Sequence, residues 1–155
     1  MKLRLIYPIG VMTLAVASFS LFVVLADSNG GQGISIKRVQ SFDSSHKLVA
    51  QFLVTSTGTV TGIKYQWYSS GELEAIIPYD ERGLITGNLL VFYKDYPNCI
   101  VCSESRRGNI LDGPVETYYP SGMIKTRQIF VNGKQVGPTL EYNDKGKISK
   151  VTAAF

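Results

Sequence analysis

Cys99 and Cys102 form the only C-x-x-C of the chain, within YPNCIVCSES. That spacing serves thiol–disulfide chemistry when a helix N-terminus lowers the thiolate pKa, or zinc when further ligands converge on it. Neither context is present in the surrounding sequence. The residues around the pair read as a turn entering a strand, with no β-α-β pattern, and the sole histidine, His46, is more than fifty positions away. A local disulfide fits an oxidising compartment. Successive strand residues alternate faces, however, so an i,i+3 bridge requires a turn or a bulge. A reduced, inert pair is the other reading. Neither a cofactor nor a metal is expected.

The remaining polar candidates are weaker still. His46 stands at a turn position and has no nucleophile in a recognisable motif to serve, so no triad can be built on it. Glu72 and Glu74, two apart on an expected strand, would share a face, but acid pairs are common on solvated sheets and no cleft accompanies them. Arg106 and Arg107 fall at an expected hairpin tip, where they could meet an anion or simply keep the turn soluble. No residue set points to catalysis, and the chain is expected not to be an enzyme.

What must position these residues is a repeat. SSHKLVAQFLVTSTGTVTG (44–62) and SSGELEAIIPYDERGLITG (69–87) open on the same pair, carry Leu at the fifth place and close on G-x-x-T-G. Carrying the unit forward, Gly62, Gly87, Gly113 and Gly137 lie 25, 26 and 24 positions apart. Five residues after each stands an aromatic, Trp67, Phe92, Tyr118 and Tyr142, followed by Tyr68, Tyr93, Tyr119 and Asn143. Leu48, Leu73, Val101, Ile124 and Ile148 form an apolar companion series, and Gly58, Gly83, Gly108 and Gly133 mark a second turn. Cys99 aligns with the turn Gly122, as does His46 in the earliest copy.

Each unit is therefore two short strands and two turns. The segments between turns are rich in Val, Ile, Thr, Tyr and Phe, and Asn132-Gly133 is a strong hairpin signal. No helical periodicity follows residue 33. The expected fold is all-β: an elongated antiparallel hairpin meander over residues 34–155, about four to five units that lean on their neighbours, each unit advancing roughly 10 Å. Trp67, Phe92, Tyr118 and Tyr142 should form a column, either the packing of a thin sheet or a recognition surface. Tyr68, Tyr93 and Tyr119 alternate to the opposite face and are the candidate binding face.

Residues 1–26 stand apart. Lys2 and Arg4 precede a run from 5 to 26 without a charged residue, long enough at about 1.5 Å per residue to cross a bilayer as a helix. It reads as a single transmembrane anchor or, with small residues before Asp27, as a signal peptide cleaved after Ala26. Either way the positive N-terminus places the remainder outside the cytoplasm. DSNGGQG (27–33) has the composition of a flexible linker. The formal net charge of +4 falls to +2 once Lys2 and Arg4 are removed, which gives no footing for nucleic acid. Residues 105–155 hold eight Lys or Arg against four acids, which leaves anionic lipid as a candidate partner.

The pattern Tyr-x-x-Gly-x-[Leu/Ile], Asn-Gly, then Gly-Pro-x-x-x-Tyr resembles the MORN repeat, in the bacterial variant of YwqK-type, antitoxin-like proteins. YYPSGMIKTRQIFVNGKQVGPTLEY (118–142) carries it most clearly, and it extends from about residue 42 to 150. Gly-Pro occurs only at Gly113-Pro114 and Gly137-Pro138. The resemblance implies a non-enzymatic hairpin array that binds a protein partner or organises the envelope. The alternatives it implies are neutralisation of a partner toxin and contact with anionic lipid.

Overall fold

The computed structural model describes residues 25–26 and 36–154. The hydrophobic segment up to residue 24 and the linker at 27–33 lie outside these residues. Among the described residues no helix is long and apolar enough to cross a membrane. Leu25–Ala26, expected at the end of a hydrophobic helix, instead pair as a short strand, β1.

Eleven further strands follow: β2 (Ile36–Phe42), β3 (Leu48–Thr55), β4 (Val60–Trp67), β5 (Leu73–Tyr79), β6 (Gly87–Phe92), β7 (Ile100–Arg107), β8 (Ile110–Tyr118), β9 (Ile124–Val131), β10 (Lys134–Gln135), β11 (Thr139–Tyr142) and β12 (Ile148–Thr152). They make one antiparallel sheet in which spatial order follows chain order. The exception is the short β10, which extends the β9 hairpin while β11 also pairs with β9. The meander expected from the 24–26-residue spacing is present.

The register runs unbroken across the sheet. One row reads Ser41, Ala50, Gln66, Ala75, Val91, Cys102, Thr117, Thr126, Glu141 and Lys150. The adjacent row, on the opposite face, reads Gln40, Gln51, Tyr65, Ile76, Leu90, Ser103, Glu116, Arg127, Leu140 and Val151. Beyond these rows the ladder slips by one residue at the same place in every unit. Phe42 pairs with Leu48, Trp67 with Leu73, Phe92 with Ile100, Tyr118 with Ile124 and Tyr142 with Ile148, which skips Val49, Glu74, Val101, Lys125 and Ser149. Each slip is a β-bulge, which adds local twist. The bulge corrects the companion series: Val101 is the skipped residue and Ile100 takes the column place. Phe42 joins the aromatic column at its start.

Burial is slight, as a single-layer sheet requires. Among the described residues Val39, Ala50, Ala75 and Phe92 are the buried apolar ones, and no polar residue is buried. Register puts Val39, Ala50 and Ala75 on one face, so the core lies in the first half of the array. Stability must come from strand pairing and from side chains that bridge one unit to the next.

Candidate interaction surface

Turns carry the tyrosines, and the turns are built locally. In the β2–β3 turn, Asp43 Oδ1 accepts from the backbone N–H of Ser45 at 2.9 Å and of Lys47 at 3.0 Å. Asp80 accepts in the same way from Arg82 and Leu84, and Asn143 from Lys145 and Lys147. These bonds favour the ionised form, so the Asp43 and Asp80 carboxyls sit below the ordinary aspartate value, chiefly through the Lys47 and Leu84 amides. His46 holds the left-handed position of the first turn, with φ 62°, as Gly71 does in the next.

The β6–β7 turn departs from the others. Tyr68 N–H closes on the Glu72 carbonyl, whereas Tyr93 N–H closes on that of Cys99, a loop two residues longer. Its left-handed residue is Asn98, with φ 65°, so Asn98 and not Cys99 is the counterpart of Gly122. The added residues present Tyr96, half exposed and edge-on to Tyr93 at 5.8 Å.

The tyrosine series differs most from expectation. Tyr68 Oη donates to the Phe92 carbonyl at 3.0 Å, Tyr93 Oη to the Tyr118 carbonyl at 2.7 Å, and Tyr119 Oη to the Tyr142 carbonyl at 2.8 Å. Expected on an exposed face, all three are half-buried, because each hydroxyl reaches the main chain of the aromatic-column residue one unit on. The Tyr series and the column are thus two halves of one ladder. No side-chain motif marks a carbonyl acceptor, so only the period of the tyrosines hinted at it.

Within the column Phe92 is buried, while Trp67, Tyr118 and Tyr142 are half-buried. Trp67 stacks on Tyr65 with centroids 6.1 Å apart. Tyr118 Oη donates to Glu116 at 2.6 Å, and Glu116 also meets Arg127 Nε at 2.7 Å. Burial first, then this hydrogen bond and the Glu116 charge, push the Tyr118 phenol up to about 12.

The residues proposed for chemistry are not assembled. Cys99 and Cys102 are not bonded to each other in this structure. Cys99 closes a turn, whereas Cys102 pairs within the ladder between Val91 and Thr117. Burial, followed by the Glu104 charge, raises the Cys102 pKa, the reverse of what a nucleophile needs. Glu72 lies in a turn and Glu74 is the bulged residue that accepts from Gln66 at 2.9 Å, so the two do not share a regular strand face. Arg106 is paired with Glu104 at 2.6 Å and Arg107 with Asp112 at 2.9 Å, which occupies both guanidiniums. Among the described residues no group of three His, Cys, Asp or Glu is placed to hold a metal.

Two surface features remain. Where the β3–β4 register slips between Gln51 and Leu53, an open hollow of about 280 Å³ is lined by Arg38, Gln51, Phe52, Leu53, Ile63 and Tyr65. At the other end, aliphatic side chains stay exposed: Ile110 at 50%, Ile129 at 38%, Val131 at 48%, Val136 at 43% and Val151 at 58%. Ile129, Val131 and Val151 share a face by register, Val136 N–H bonds the Ile129 carbonyl at 2.8 Å, and the hairpin turn at Gly133 abuts Ile110. Periodicity marks these positions as strand but does not reveal their exposure.

No curated protein and no solved structure matches the chain. The family model described as MORN repeat variant matches residues 111–132, the stretch that runs from β8 through the next turn into β9 and its hairpin. That stretch is similar to a MORN repeat variant and lies within the larger antiparallel sheet.

Proposed function

We propose that the array is a non-enzymatic module that binds a protein partner through the aliphatic face of its last hairpins. The observation that carries this reading is the cluster of Ile110, Ile129, Val131, Val136 and Val151, all exposed on a sheet that buries few side chains anywhere. A cluster of this kind is costly to leave in water and marks an interaction site. Anionic lipid is the second reading, favoured by Arg107, Arg127 and Lys134 near the same face. Arg107 and Arg127 are held by Asp112 and Glu116, however, which removes much of the charge a lipid surface would need and favours a protein.

Ile129 and Val131 alternate with residues of the opposite face, so Ile129→Glu and Val131→Glu change the patch and spare the ladder. Crosslinking of the full chain in its host should yield a reproducible protein adduct that falls at least about tenfold in the double variant. An adduct unchanged by both substitutions would rule out this face. Vesicle binding that weakens with salt and is lost in the same variant would give the face to lipid.

A further inference from the structure

We propose that the free edge of β12 receives an extended strand from a protein partner, one in which acidic and apolar residues alternate. The inference rests on the array being a binding module and concerns its edge strand, which shares Val151 with the aliphatic face. At the opposite end, β1 covers part of the outer edge of β2. Among the described residues no strand lies outside β12, whose Ile148, Ser149, Lys150 and Val151 are all exposed. An unpaired edge offers main-chain donors and acceptors to an incoming strand, and alternate side-chain positions give specificity.

The two rows of the sheet state what that strand must carry. On one face the row ends Thr126, Glu141, Lys150, so the next position lies beside an ammonium. Lys150 meets Glu141 at 3.1 Å, but both groups are well exposed and so weakly bound that Lys150 can share a second carboxylate. On the other face the row ends Arg127, Leu140, Val151, and the next position extends an apolar surface. Lys145 and Lys147 in the preceding turn add positive charge against Asp144 alone. Acidic residues on one face and apolar residues on the other satisfy both rows.

A second copy fits poorly. Two β12 strands pairing antiparallel about their centre would place Lys150 opposite Lys150, an unfavourable cross-strand pair. Head-to-tail addition would have to join the β2 edge where β1 already pairs with Lys37 and Arg38. The edge repels its own kind and attracts an acidic strand.

The test uses the full chain and two labelled eight-residue peptides, one alternating Glu and Val, the other Lys and Val, read by fluorescence anisotropy. The Glu–Val peptide should bind and slow amide exchange in β12, while the Lys–Val peptide binds at least about fivefold more weakly. Lys150→Glu should weaken the Glu–Val peptide by a similar factor. Lys134→Glu, the same change of charge on β10, should not. Failure of both peptides, equal binding of both, or equal loss in the two variants would overturn the proposal. Self-association that depends on Lys150, seen by sedimentation without peptide, would overturn it in favour of a second copy. Crosslinking through Ile129 and Val131 is a separate readout, so failure here would leave the aliphatic face intact.

Discussion

The hydroxyl of Tyr93 tests the ladder directly. It donates 2.7 Å to the Tyr118 carbonyl from a half-buried position. A neutral intramolecular hydrogen bond is worth about 1 kcal/mol net. Tyr93→Phe should therefore lower the thermal midpoint by roughly 2–4 °C for a domain of this size. Tyr96→Phe, whose ring is half exposed in the long turn, should leave it nearly unchanged. Equal effects would mean that the ladder bond adds nothing. Asp80 gives a pH signature. Its folded pKa lies below the unfolded value, so its contribution is present above the unfolded pKa and is lost as pH falls through the folded one. Asp80→Asn keeps an acceptor oxygen, as Asn143 does in the equivalent turn. Thermal midpoints measured between about pH 6 and 2 should fall less steeply for that variant than for the parent. An acid limb with unchanged slope would exclude this turn as a contributor.

At the scale of the strand and turn, glycine has two jobs that sequence alone does not separate. Gly122 has φ 84° and open space around its missing Cβ, so it only grants a left-handed turn. Gly113 has φ 121° inside β8, and a Cβ there would lie 2.8 Å from Ser105 Cβ on the neighbouring strand. Gly122→Ala should cost about 1–2 kcal/mol from backbone conformation, and Gly113→Ala clearly more, because β7 must also move. Urea denaturation of the two variants compares them, and equal losses would show that the close approach of β7 and β8 is relaxed in solution. The strands and turns themselves were legible from the Gly spacing and the β-branched and aromatic runs between. The bulges were not. A skipped residue such as Val101 has the same apolar character as Ile100, and only the ladder distinguishes them. The longer β6–β7 turn was hidden for a related reason: Asn98 can take the left-handed position that glycine takes elsewhere, so Cys99 looked like the odd residue.

For the whole molecule, the period of about 25 residues was enough to derive a meander, because a unit that cannot bury its own face must stack on the next. It was not enough to locate a site. Exposed and half-buried aliphatic strand residues look alike in sequence: Ile129 is exposed and Ile76 half-buried. The tyrosine ladder also makes the array directional. Each hydroxyl points toward the C-terminal neighbour and none points back: Tyr68 to Phe92, Tyr93 to Tyr118, Tyr119 to Tyr142. The series stops at Asn143, which spends its side chain on its own turn. Shortening the array is therefore not symmetric. Removing units from the front leaves the tyrosines of the remaining copies still bonded, whereas removing them from the back strands a donor on the new last copy. Lengthening follows the same asymmetry: a duplicated interior unit can join both neighbours at once, whereas a unit added after Asn143 would find no hydroxyl waiting for it.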